Sequence, residues 1–148
     1  MDNIDFFNRL TLTVFENLYS SFPTPVDVDV KKLAMDVIPQ DAELDETWNS
    51  LQAAEDAIDF LAQEGFLTHK GTYLEGGTYM QARLTLKGLA ILGSPASLDE
   101  KRTLIDGIRS ALSGGAKGVG SELVKQLTQK AFAAAVAAGP ALIAQLTK

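Results

Sequence analysis

The sequence predicts a mainly α chain with a small β-hairpin, followed by an Ala/Gly-rich helical C-terminal region. Three observations carry this. Apolar residues recur at helical spacing through most of the chain up to Gly65. The period then shortens to that of a strand between Phe66 and Leu84. Beyond Gly93-Ser94-Pro95-Ala96, aromatic and β-branched residues give way to alanine and glycine. That stretch divides the chain into residues 1–96 and 97–148. The charges divide at the same place. Residues 1–96 hold 15 acidic and 6 basic side chains, net −9, and residues 97–148 hold 4 and 7, net +3.

The elements follow in order. From Asp2 to Tyr19 a stripe of Phe7, Leu10, Val14 and Leu18, with Ile4 and Phe15 beside it, predicts a helix. Pro23 and Pro25 impose extended backbone after it. Asp29 can cap a short second helix with Val30, Leu33, Ala34, Val37 and Ile38 on its apolar face, and Pro39 stops it. A third helix has Asp45 as N-cap and Leu44, Trp48, Leu51, Ile58, Leu61 and Ala62 at helical spacing. Trp48 reads as a core residue on that stripe. Gly65 supplies a left-handed cap. Phe66 to His69 starts a strand, and Glu75-Gly76-Gly77 forms a tip. Thr78 to Leu84 returns, with Tyr79, Gln81 and Arg83 on one face and Met80, Ala82 and Leu84 on the other. Tyr73 and Tyr79 straddle the tip and are placed to pair across the strands. Thr85 caps a helix from Leu86 to Leu92, in which Gly88 is expected to allow close packing.

In the second part, Ser97 and Glu100 fit a capping box that opens a helix to Leu112. Gly114 to Ser121 reads as a flexible hinge. A helix begins near Ser121, becomes apolar all round from Ala131 to Ala138, and is expected to break at Gly139-Pro140.

Composition excludes several functions. The chain has 148 residues, of which 46% are hydrophobic and 22% charged, so it can build a core. It has no Cys and one His, His69, which removes disulfides, thiolate catalysis and Cys- or His-cluster metal centres. The glycine-rich stretch at 114–121 is not a phosphate loop, because Lys117 precedes Gly118 instead of following it and no strand leads in. Glu55 and Asp59 form an acidic i,i+4 pair that reads as a solvated or partner-facing surface. No catalytic set, cofactor or metal is expected. The N-terminus lacks a basic region and an apolar core of the signal-peptide kind, and the tract from Ala131 to Thr147 is too alanine-rich to span a bilayer. No transmembrane insertion and a cytoplasmic location are therefore expected.

The helix exit F-L-A-Q-E-G-F-L at 60–67 and the hairpin exit A-R-L-T-L-K-G-L-A-I-L at 82–92 resemble the winged helix-turn-helix domains of bacterial regulators. The resemblance covers residues 4–92 and names no specific family. It implies that the third helix reads the major groove and that the hairpin touches the DNA backbone. Asn49, Ser50 and Gln52 would then contact bases, and Lys70 and Arg83 phosphates. The third helix, however, has no Lys or Arg from Leu44 to Glu64 and carries Glu46, Glu55 and Asp56. An acidic helix of this kind repels phosphate. The sequence therefore points first to a non-enzymatic winged-helix protein acting through protein–protein interaction or as a scaffold. A weak or partner-assisted DNA-binding regulator is the alternative. The all-round apolar helix looks too large for the winged domain to cover, so residues 97–146 are expected to associate, most simply as a homodimer, through Leu123, Leu127 and Phe132. Docking in cis is the rival arrangement.

Overall fold

The computed structural model describes residues 2–73, 76–96 and 101–146, with side chains described as far as residue 137. It is mainly helical, with one small antiparallel sheet. Helix α1 (Asn3–Ser21) starts where the Asp2 carboxylate accepts a hydrogen bond from the Asp5 N–H at 2.8 Å. Phe6, Leu10, Val14 and Leu18 form its buried stripe. Asn8, Arg9, Thr11 and Leu12 are buried as well, so α1 is covered on more than one side. Ile4 is instead 60% exposed, while Phe15 on the same flank is fully buried.

The proline-rich stretch leads into a strand, β1 (Val26–Asp29), that the sequence marked only as extended. Asp29 caps α2 (Val30–Val37), accepting from the Lys32 N–H at 3.1 Å. Helix α3 (Leu44–Gln63) has Glu43, not Asp45, at its N-cap, with no side-chain cap bond. Asp45 and Glu46 lie inside its first turn, where carboxylates complement the unpaired N–H groups. Gly65, at φ +83°, ends it as expected.

Strands β2 (Leu67–Thr68) and β3 (Thr78–Leu84) form the hairpin, and β1 joins it to give a sheet ordered β1-β3-β2. The pairings Val26 with Ala82 and Val28 with Tyr79 leave one extra residue on β3. Gln81 takes it up at φ +50°. This bulge shifts the alternation. Tyr79, Ala82 and Leu84 are all buried, while Gln81 and Arg83 are exposed, so the expected grouping of Tyr79 with Gln81 and Arg83 fails. Asp27 holds the bulge, accepting from the Gln81 N–H at 3.0 Å and from the Tyr73 hydroxyl at 3.1 Å. Tyr73 and Tyr79 consequently diverge instead of pairing. Of the expected tip, Gly76 and Gly77 have positive φ, and Glu75 lies outside the described residues.

Helix α4 (Leu86–Leu92) is capped by Thr85, whose Oγ1 accepts from the Gly88 N–H at 3.0 Å. A Cβ on Gly88 would overlap the Phe66 carbonyl oxygen, so only glycine permits this approach. Lys87 reaches back to donate to the Glu64 carbonyl at 2.8 Å and lies over the Phe66 ring at 5.1 Å.

The expected cap at Ser97 and Glu100 lies outside the described residues. Helix α5 (Leu104–Leu112) begins later than the sequence reading placed it, at a capping box made by Thr103 and Asp106. The expected hinge is a short 3-10 turn at Ala116–Gly118 with Ala116 and Val119 buried. Arg9 explains why it is held. Its guanidinium donates to the Ala116 carbonyl at 2.8 Å, to Ser121 Oγ at 3.1 Å and to Asp5 at 2.9 Å. A buried cation needs such partners, and the turn supplies them. Helix α6 (Ser121–Leu146) continues through Gly139-Pro140, contrary to expectation. A proline removes one backbone donor, and strongly helix-forming alanine flanks it here.

Helix α6 packs on α1, α4 and α5 of its own chain. Val124, Leu127, Ala131 and Ala135 are buried there. Phe132 stacks on Phe7 at 5.9 Å and meets Phe66 at 5.7 Å, and Phe7 meets Phe60 edge-on at 5.7 Å. Arg109 adds a partly exposed contact with Glu16 at 3.5 Å and lies over Tyr19 at 5.0 Å. Two of the three expected association anchors, Leu127 and Phe132, are thus turned into the chain's own interior, and Leu123 remains 45% exposed. The expectation that this helix had too little to pack on overlooked the second covered side of α1. Among the described residues, no helix is long and apolar enough to cross a membrane.

Candidate functional site

Helix α3 has two unlike faces. Ala54, Ala57, Ile58 and Leu61 are buried against the rest of the chain. The outer face begins with Leu44, 84% exposed, and Trp48, 71% exposed. Trp48 is therefore not a core residue. Val30 and Lys31 of α2 line a cleft with Trp48 but leave its ring largely in solvent. The sequence held a signal for this. The positions four, seven and eleven residues after Trp48 are Gln52, Glu55 and Asp59, a polar stripe on the same side.

The acidic pair is half structural. The Tyr79 hydroxyl donates to Asp59 at 2.8 Å and lies 3.0 Å from the Glu55 carbonyl. Glu55 Oε1 accepts from the Gly77 N–H at 3.2 Å. These bonds fasten the hairpin to the middle of α3. Burial, then the Asp59 carboxylate, raises the Tyr79 hydroxyl pKa well above its ordinary value. The Tyr73 hydroxyl is also raised, by its hydrogen bond to Asp27. His69 is held in place too, its Nδ1 accepting from the Gly71 N–H at 2.9 Å and its ring edge-on to Tyr79 at 4.7 Å.

Between α3 and the hairpin tip lies an open cleft of about 290 Å³, lined by Val30, Lys31, Trp48, Leu51, Gln52 and Glu55, with Gly76 and Gly77 closing one side. Asp45 and Asp56 are exposed on the same helix, and neither has an ion-pair partner among the described residues. The candidate base-reading residues are divided. Asn49 and Gln52 are exposed on α3, while Ser50 is half-buried. Lys70 and Arg83 are exposed on the hairpin arms, and Arg83 projects opposite the buried Ala82 and Leu84. The sheet turns its inner face, with Tyr79, toward α3, so Arg83 points away from that helix. Arg83 is therefore not gathered on one surface with Asn49 and Gln52. Among the described residues, no three His, Cys, Asp or Glu side chains are placed to hold a metal ion.

No protein-family model matches the chain, and neither a curated protein nor a solved structure matches it.

Proposed function

We propose that this is a winged-helix protein that acts by binding other proteins through the outer face of α3, without catalysing a reaction, in the cytoplasm. The order α1, β1, α2, α3, β2, β3 with β3 central supports the winged-helix reading. The observation that carries the function is the chemistry of α3. The outer face of α3 displays Leu44 and Trp48 among carboxylates, and the helix has no cation from Leu44 to Glu64. Large exposed aromatics are typical of interface centres. Duplex DNA demands the opposite charge. The alternative reading, duplex binding, is favoured only by the exposure of Asn49 and Gln52.

An anisotropy titration with random and genomic duplexes at physiological salt tests the choice. The expected result is no binding tighter than roughly 10 μM. Sub-micromolar, sequence-selective binding that is lost in Asn49→Ala or Gln52→Ala would overturn the protein-binding reading.

A further inference from the structure

A second surface of the chain has the complementary character to α3. Between α5 and α6 runs an open groove of about 490 Å³, walled by Ala111, Val119, Leu123 and Leu127, with Arg102 and Lys130 beside them. Both cations are exposed and neither has an ion-pair partner among the described residues. Leu123, left out of the interior, lies in this groove.

We propose that the outer face of α3 from one copy docks into the α5–α6 groove of a second copy. Leu44 and Trp48 seat against Leu123, and Asp45 and Asp56 face Arg102 and Lys130. This rests on the reading of α3 as a protein-binding face and names its occupant. Helix-in-groove recognition uses apolar anchors spaced i and i+4, the spacing of Leu44 and Trp48. Charge complementarity identifies the partner: the anchors of α3 carry acids, the groove carries cations, and the two parts of the chain have net charges of −9 and +3. Within one chain α3 packs chiefly on α1, α2 and β2, and Leu44 and Trp48 stay exposed and free for another molecule. One contact covers both surfaces, and a two-fold pair of copies makes it twice.

Trp48 is the sole tryptophan, so its emission reports on this surface alone. Light scattering and Trp48 emission are measured together on the full chain from micromolar to near-millimolar concentration. The expected result is a rise in mass toward a dimer with a blue shift of the same concentration dependence. The exposed pair Asp45→Lys with Asp56→Lys, and separately Arg102→Glu with Lys130→Glu, should each weaken association about tenfold or more, with circular dichroism unchanged. Mixed in equal amounts, the two variants should associate again, because each now presents what the other needs. A monomer throughout, association that survives both reversals, or a mixture that does not recover would each overturn the proposal. A duplex arm separates the two claims. A monomer whose Trp48 emission ignores duplex DNA removes self-docking alone, whereas emission that responds to duplex removes the protein-binding reading of α3 as well.

Discussion

Residues 2–96 are knitted by side chains that bond to backbone, whereas residues 101–146 are held mainly by apolar burial on α1. In the first region Asp2, Asp29 and Thr85 cap helices, Asp27 pins the bulge, Lys87 closes the end of α3, and Tyr79 ties the hairpin to it. In the second, Ile108, Val124 and Ala131 are fully buried, and the polar ties to α1 run through Arg9 and Arg109. The difference teaches that the second region, although α5 and α6 pack on each other, takes much of its cover from outside itself. Helix α1 supplies it, packing on both α5 and α6.

The strongest way to break this contrast is to hollow out the second region. Ile108→Ala should cost about 3 kcal/mol. If the region shares the frame of the first, calorimetry will show one transition shifted down. Two separate transitions would show that it folds by itself. Arg9→Met comes next, at about 2 kcal/mol, because it strips the Ala116 carbonyl of its partner. Hydrogen exchange should quicken around 116–121 and leave β3 unchanged.

Tyr79→Phe probes the polar knitting of the first region and should cost about 1 kcal/mol in thermal unfolding. It also has a pH signature. The folded pKa lies above the ordinary 10.0, so the folded state holds the proton more tightly. The stability this gives is complete below pH 10.0 and is lost as pH rises beyond it. The phenylalanine variant should lose less stability on going alkaline than the parent. Lys87→Met is the smallest, about 0.5 kcal/mol, seen as fraying at the end of α3.

Legibility in the sequence followed the same division. The Asp29 and Thr85 caps and the Gly65 stop could be read because each depends on residues a few positions apart. The Gln81 bulge could not, because it is fixed by Asp27 from 54 positions away. Pairing of β1 was hidden for the same reason. The candidate surface was partly visible: the acidity of α3 and its lack of cations stand in the sequence, but the exposure of Trp48 depends on how the elements around α3 pack. The fate of Leu127 and Phe132 was invisible, since nothing local shows that α1 is buried on a second side.

The Arg9 contact also has a consequence for synthesis. Its partner Ala116 lies 107 residues further along the chain. At roughly 5–20 residues per second, the ribosome needs about 5–20 s to deliver that partner after α1 has emerged. During this interval the side of α1 that carries Arg9 and packs on α6 waits in water without that cover. The nascent chain is therefore most adhesive early, and slowing translation between α4 and α6 should lower the soluble yield even though the finished protein is unchanged.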